Sequence, residues 1–164
     1  MGEAIIDILD FLPDWLHVFV ISMFPVIEVR GAVPYGMLFL DLSVWTVVLF
    51  AVLGNITPAP ILLILGSKIL DWMELSKYKF FNKIGTSIRS RSLKKKGNIE
   101  KYTYLGLMAF VAIPFPGTGV WTGCLIASLL GLSILKSFLS ASAGSLIASI
   151  AMVIITQGGI SIFS

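Results

Sequence analysis

The sequence predicts an all-α integral membrane protein made of an inverted repeat of two units. Each unit is a re-entrant helical hairpin followed by a long transmembrane helix, and interfacial amphipathic helices complete the fold. Composition, the length of the uncharged segments and the position of helix-breaking residues lead to this prediction. Hydrophobic residues make up 57% of the 164 residues and charged residues only 13%, whereas soluble domains carry about 25% charged residues. With a mean hydropathy of +0.95, lipid is the expected solvent.

Three long segments carry no charged residue: 42–67, 102–135 and 137–164. A helix of about 20 apolar residues crosses the hydrocarbon core of a bilayer, so each segment is long enough to cross. The segments are runs of Leu, Ile, Val and Ala without the alternation of a membrane β-barrel. Helices are therefore predicted throughout.

The first hairpin is predicted over residues 15–41, around the stretch "FPVIEVRGAVPYG" at 24–36. A single straight helix would place Glu28 and Arg30 near the bilayer centre, at a cost of at least about 2.5–3.5 kcal/mol each. The two side chains would not compensate each other, because residues two apart do not face each other on a helix. A re-entrant hairpin with breaks at Pro25 and Pro34 buries the tip in protein. A kinked full span is the alternative.

The second hairpin is predicted over residues 103–135, around "AIPFPGTGVWTG" at 112–123, with breaks at Pro114 and Pro116. Transmembrane helices are predicted at 43–72 and 137–163. The first of these contains "GNITPAP" at 54–60, where Pro58 and Pro60 remove helix hydrogen bonds and free carbonyl groups. A polar binding position and a tolerated kink both explain this break.

Residues 14–72 and 103–164 form the two predicted repeat units. At an offset of 90 residues, "LDLSVW" (40–45) aligns with "LGLSIL" (130–135), and Gly54 aligns with Gly144. At an offset of 89, "FP" (24–25) aligns with "IP" (113–114). Because each unit crosses the membrane once, the two units have opposite topology. Inverted repeats with discontinuous helices are typical of transporters.

The orientation follows from the segment 73–103, which holds nine of the twelve Lys and Arg residues. The positive-inside rule places residues 73–102 in the cytoplasm and both termini outside, in a multi-pass arrangement. Binding of this loop to anionic lipid is the alternative explanation of its charge, and no nucleic-acid partner is predicted. Residues 1–13 form an acidic amphipathic stripe, which predicts an interfacial helix.

The residue inventory argues against two common kinds of catalytic site. His17 and Cys124 are its only histidine and cysteine, so neither a zinc site nor a His-based triad can form within one chain. Glu28 is the one acid expected at membrane depth and has no second catalytic partner. We expect no enzyme activity, no cofactor and no metal.

The stretches "PVIEVRGAVPYG" (25–36) and "IPFPGTGVWTG" (113–123) resemble the small multidrug export protein family, a branch of the wider DedA (VTT, SNARE-associated) membrane superfamily. The matching positions are Glu28, Arg30, Gly31, Pro34, Pro114, Pro116, Gly117 and Gly119. The resemblance implies two re-entrant hairpins in inverted repeats, in a prokaryotic cell membrane. It also implies translocation of lipids such as undecaprenyl phosphate, dependent on the proton-motive force. The second hairpin here lacks the arginine that many DedA members carry there.

These observations predict a proton-coupled transporter or lipid translocase for an amphipathic, anionic substrate. Glu28 is the predicted proton site, because burial favours its neutral form and Arg30 its charged form. The predicted substrate site combines Arg30 with backbone amides, hydroxyls and aromatic rings at the tips and at the helix break: Gly31, Tyr35, Asn55, Thr57, Gly117, Thr118, Gly119, Trp121 and Thr122.

The alternative is a non-transporting scaffold or lipid-binding protein in which Glu28 and Arg30 form a structural ion pair. Membrane lipids are expected partners under either interpretation. The small residues of "SASAGSLIAS" at 140–149 favour close helix packing, either within the chain or between subunits of a homo-oligomer.

Overall fold

The computed structural model describes residues 12–75, 78, 82–83, 86–87, 98–115 and 117–163, and no strand occurs in these ranges. They contain seven helices of ten or more residues. In chain order these are α1 (Asp14–Met23), α2 (Glu28–Leu38), α3 (Val44–Ile56), α4 (Ala59–Leu75), α5 (Asn98–Ala112), α6 (Val120–Leu129) and α7 (Ile134–Phe163). Most of the predicted N-terminal interfacial helix, most of the predicted basic loop and Pro116 lie outside the described residues.

Two short-armed helical hairpins each precede a long helical segment. In the first hairpin, α1 and α2 are joined by a turn at residues 24–27 that contains Pro25. In the second, α5 and α6 are joined by residues 113–119, which contain Pro114. The prediction of a break at Pro34 is wrong, because α2 continues through this residue. Packing of α2 against α1, α3 and α7 holds the helix although Pro34 donates no hydrogen bond.

The first long segment is interrupted between α3 and α4, at Thr57 and Pro58. Pro58 has no N–H to donate to the carbonyl of Gly54, and the N–H of Thr57 bonds that carbonyl instead, at 3.3 Å. The Thr57 hydroxyl donates to the carbonyl of Leu53 at 2.7 Å. Pro60 causes no break, because it lies in the first turn of α4, where backbone N–H groups have no partner within the helix.

The final helix, α7, begins at Ile134 rather than at the predicted residue 137. The prediction placed the boundary at Lys136 because this residue ends the uncharged segment 102–135. In the structure, the flexible Lys136 side chain reaches over the ring of Tyr104, with Nζ 5.6 Å from the ring centre. The charge can therefore lie in the first turn of an otherwise apolar helix. Helix α5 also extends beyond its predicted start, into the basic segment.

Two hydrophobic cores hold the helices together, and each hairpin contributes to one of them. The first core contains residues of α1, α2, α3 and the second half of α7: Val18, Val29, Ala32, Val33, Val47, Ala51, Ala148 and Val153. The second core contains residues of α4, α5, α6 and the first half of α7: Ala59, Leu62, Leu63, Leu107, Val111, Val120, Cys124, Ala127 and Ala141. Each long segment therefore packs on both hairpins.

Two helical segments are long and apolar enough to cross a membrane: Val44–Met73, which includes the α3–α4 break, and Ile134–Gly159. Less than half of either segment is buried inside the protein. Large apolar side chains project outward from both, including Trp45 and Ile61 on the first and Leu135 and Ile154 on the second. Large apolar side chains exposed along two such segments are consistent with a membrane protein.

Positions that align in the sequence make similar contacts in the two units. A methyl group added to Gly54 would collide with the carbonyl of Phe19 in α1, and one added to Gly144 would lie 2.6 Å from the carbonyl of Met108 in α5. Met108 follows Phe19 at the offset of 89. The links before the two long segments also agree: φ is +50° at Asp41 in the first link and is likewise positive at the aligned glycine of the second.

Candidate functional site

The tips of the two hairpins meet. Trp121, at the start of α6, donates a hydrogen bond from Nε1 to the carbonyl of Met23, the last residue of α1, at 3.0 Å. This contact joins residues that are 98 positions apart in the chain. The predicted charged residues and the predicted Pro/Gly element are thus brought to one place.

Glu28 is the first residue of α2 and is almost fully buried, with 2% of its surface exposed. Its φ of +47° is in the left-handed region, which costs a residue with a side chain roughly 1–3 kcal/mol. Its carboxylate Oε2 accepts a hydrogen bond from Arg30 Nη1 at 2.8 Å. Backbone strain and a buried charge thus coincide at one residue, a combination typical of functional sites.

The Glu28 carboxylate lies at the N-terminus of α6, a helix of the other hairpin. The N–H of Trp121, in the first turn of α6, approaches Oε1 at 3.5 Å. Gly119 precedes this helix, and a methyl group there would overlap the Glu28 carboxyl group. Unpaired backbone N–H groups make a helix N-terminus favourable for negative charge, so α6 provides an anion site that Glu28 occupies.

Arg30 connects Glu28 to the turn of the second hairpin. Its Nη2 donates to the carbonyl of Ile113 and to Oγ1 of Thr118, both at 3.1 Å. The Thr118 hydroxyl in turn donates to the carbonyls of Ile113 and Phe115, at 2.8 Å each. The first hairpin therefore supplies both charges, and the second supplies neutral dipoles that complement them. Only 14% of the Arg30 side-chain surface is exposed.

Three other predicted tip residues lie in or beside the tips without a described contact to Glu28 or Arg30. Gly117 adopts φ +91° in the turn of the second hairpin, which only glycine adopts easily. Gly31 lies in α2, where an added methyl group would meet the side chain of Ile27, the last residue of the turn in the first hairpin. Thr122 follows Trp121 in α6 and is half-buried.

Three predicted site residues lie elsewhere. Tyr35 stacks on Phe39 within α2, with ring centres 5.7 Å apart, on the part of α2 away from the tip. Thr57 bonds locally at the helix break. Asn55 is buried and donates to Oγ of Ser145 at 2.9 Å, which links α3 to α7. The structure brings none of these three to the ion pair through a described hydrogen bond or ring contact.

Sequence reasoning missed the groups that complete the site. The carbonyls of Met23, Ile113 and Phe115 are backbone atoms, which no residue type can signal. Ser145 lies 90 residues after Asn55, so the repeat offset itself was a usable signal for that pair.

The arrangement offers one titratable carboxylate, one guanidinium and a helix N-terminus in a place largely closed to solvent. In the part of the chain that the structure describes, no group of three or more His, Cys, Asp or Glu side chains could hold a metal ion. In general, a carboxylate can take up a proton, and a guanidinium with helix N-terminal amides can bind an anion.

The fold and the site define a helical membrane protein whose two hairpins meet at a buried ion pair. A match between the sequence and a family model narrows this class of membrane protein. The chain belongs to the family described as putative small multi-drug export protein, whose model matches residues 28–151, well over half of the chain and including both Glu28 and Arg30. The family description indicates an export role. No curated protein and no solved structure matches the chain.

Proposed function

We propose that the protein is a proton-coupled transporter or lipid translocase for an amphipathic, anionic substrate. Glu28 is the proton site, and Arg30 with the backbone of the tips is the substrate site. The observation that carries the proposal is the position of the Glu28–Arg30 pair at the contact between the two hairpins, where both residues have partners from the second hairpin. A charged pair between two moving parts can respond to a proton or an anion.

The geometry supports a specific coupling. In the present state the Glu28 carboxylate occupies both Nη1 of Arg30 and the N-terminus of α6. A proton on Glu28 removes the negative charge and leaves these two donors available. A phosphate or carboxylate group of a substrate can then take the same place. Proton and anion thus bind together and move in the same direction.

Alternating access requires two halves that move against each other around this site. We propose that the hairpins are re-entrant and that the two units form an inverted repeat. The aligned contacts of Gly54 and Gly144, and the crossing of α3 and α7 through Asn55 and Ser145, support this proposal. The break at Pro58 is a candidate hinge, because only local hydrogen bonds bridge it.

The proposed topology places the basic segment 73–102 in the cytoplasm and both termini outside a prokaryotic cell membrane. Membership of the wider DedA superfamily, with its lipid phosphate substrates, stays a prediction. It agrees with the anion site proposed for Arg30 and α6.

The alternative is a membrane scaffold or lipid-binding protein in which the pair only holds the hairpins together. The hydrogen bonds from Arg30 to the second hairpin also favour this reading, since buried pairs can fix an arrangement of helices without transport. The two proposals differ in what happens when Glu28 loses its ability to titrate.

The test is flux in proteoliposomes with an imposed pH gradient. The probe is a lipid phosphate with a fluorescent NBD tail, and dithionite quenching reports its leaflet. We expect the wild-type protein to move the probe in the direction of the proton gradient and Glu28→Gln to lose this dependence. Asp41→Asn is the matched control, because Asp41 is an exposed acid in the same unit, away from the tips.

A Glu28→Gln protein with unchanged dependence on the gradient would exclude Glu28 as the proton site. Binding of the probe without flux, in the wild type and in the variant, would support the scaffold. Probe movement against the proton gradient would contradict the proposed coupling.

A further inference from the structure

An apolar cleft separates the two arms of the second hairpin. Its volume is about 200 Å³. It is lined by residues of α5 and α6 and of the link that follows: Thr103, Gly106, Leu107, Phe110, Gly123, Ile126, Ala127, Leu130 and Leu132. Leu107, Gly123 and Ala127 are buried and form its floor, while Gly106 and Ile126 are exposed at its rim. The cleft therefore opens on the outer, lipid-facing surface of the protein.

The two hairpins differ at one aligned position that borders the cleft. Gly106 aligns with His17 at the offset of 89. In the first hairpin His17 is buried and α1 lies against α2. A methyl group added to Gly106 would meet no atom within 4 Å. The first hairpin thus has a buried side chain at the position where the second has none.

A void of this size in a membrane protein must be filled from its surroundings. Its lining offers almost no hydrogen-bonding groups, so water is a poor occupant. An empty cleft would forfeit the dispersion contacts of its walls. The medium around an outward-facing apolar cleft is the hydrocarbon of the bilayer, and acyl chains are what it contains.

A positive charge stands beside the mouth of the cleft. Tyr104, next to the lining residue Thr103, accepts a hydrogen bond from the N–H of Ser133, next to the lining residue Leu132. The ammonium group of Lys136 lies over the ring of Tyr104, and the side chain of Lys136 is exposed. A cation near one end of an apolar cleft suits a ligand with a hydrocarbon chain and an anionic head.

We propose that the cleft between α5 and α6 binds one acyl chain of an anionic phospholipid, whose headgroup lies at Lys136. This site is distinct from the Glu28–Arg30 pair and does not depend on transport. The mouth is at the end of α5 that follows the basic segment 73–102. In the topology proposed above this is the cytoplasmic leaflet, where anionic lipids attract basic residues.

The experiment is photolabelling of the full-length protein in vesicles. The probe is phosphatidylglycerol with a diazirine in one acyl chain, and the labelled peptides are identified by mass spectrometry. We expect labels on floor residues such as Leu107 and Ala127. Gly106→Phe fills the cleft and should remove these labels, while labels on outward-facing residues such as Ile154 persist. Gly158→Phe is the matched control, since a methyl group there also meets no atom within 4 Å.

Gly106→Leu is the second variant and should give the same loss with a smaller side chain if the larger one impairs folding. Equal floor labelling in the wild type and in a folded Gly106 variant would refute the acyl-chain site. So would labels confined to outward-facing residues in the wild type. Neither result bears on Glu28, so the proposed transport would stand or fall separately.

The headgroup is tested with phosphatidylcholine that carries the same diazirine chain. One lysine near a membrane surface favours an anionic lipid by about fivefold. We expect Lys136→Gln to reduce the preference for phosphatidylglycerol by about this factor without changing the labelled positions. An unchanged preference would refute the role of Lys136, and a wild type that prefers phosphatidylcholine would refute an anionic occupant.

Discussion

Removing both members of the Glu28–Arg30 pair should destabilise the protein by less than the sum of the two single losses. Arg30→Gln leaves the buried Glu28 carboxylate with only the 3.5 Å approach of the Trp121 N–H. Breaking a buried pair from one side costs about 3–5 kcal/mol. Uptake of a proton by Glu28 would limit this cost, so we expect a loss of about 3 kcal/mol near neutral pH.

Glu28→Gln should lower the stability of the protein by less than Arg30→Gln does. Arg30 keeps two acceptors in the second hairpin, the Ile113 carbonyl and the Thr118 hydroxyl. The amide oxygen of Gln can also accept from Nη1. The expected loss is about 1.5–2 kcal/mol, the lower end of the range for a hydrogen bond to a charged group.

The double variant replaces both charges by neutral amides of similar shape. We expect its loss to be about 2 kcal/mol smaller than the sum of the two single losses, because neither variant residue leaves a charge without a partner. The assay is reversible unfolding in mixed detergent and lipid, followed by circular dichroism, for the four proteins of the cycle. Asp41→Asn serves as the control and should change stability by less than about 0.5 kcal/mol.

Losses that add within about 0.5 kcal/mol would refute the reasoning, because they would mean that the two side chains do not interact in the folded protein. The same variants separate the two proposed functions. A double variant that regains stability but not proton-dependent flux supports transport through Glu28. A double variant that regains both stability and proton-dependent flux supports a purely structural ion pair.

Three further predictions concern packing and hydrogen bonds. Gly144→Ala should destabilise the protein by about 1–3 kcal/mol in the same unfolding assay, because the new methyl group would lie 2.6 Å from a backbone carbonyl. Gly158→Ala is the control: its new methyl group meets open space, so it should stabilise its helix by about 0.5–1 kcal/mol. The stability losses of Asn55→Ala and Ser145→Ala should depart from additivity by about 0.6 kcal/mol, the usual size of a hydrogen bond between membrane helices. Additive losses would contradict the hydrogen bond between the two side chains. Thr118→Val should lower the stability of the protein by about 1 kcal/mol, because the hydroxyl group is lost. An unchanged stability would show that the Thr118 hydroxyl is not a bridge to Arg30.

The sequence was sufficient to find the turns of both hairpins and the charged pair. Placing a charge in lipid costs free energy, so Glu28 and Arg30 could be identified as site residues. Pro25 and Pro114 indicated the turns, because proline lacks the N–H that continues a helix hydrogen-bond pattern. The break near Pro58 was located for the same reason.

Tertiary packing decided the features that the sequence did not predict. Pro34 was expected to end a helix, yet neighbouring helices hold α2 through it. Tyr35 and Thr57 were assigned to the site by residue type, but the direction of α2 and the local bonds at the break place them elsewhere. The Ile113 carbonyl, which Arg30 binds, has no sequence signature at all.

In the proposed transport, the division of groups between the hairpins would let the Glu28–Arg30 pair act as a gate. The first hairpin carries both charges, and the second carries the α6 N-terminus and the Thr118 hydroxyl that complement them. Separation of the tips would therefore leave Glu28 and Arg30 with only each other. A proton on Glu28 and an anion on Arg30 can replace the lost partners, whereas water reaches a largely buried site poorly. The tips should then separate most readily when both ligands are bound, which is the condition that couples their movement.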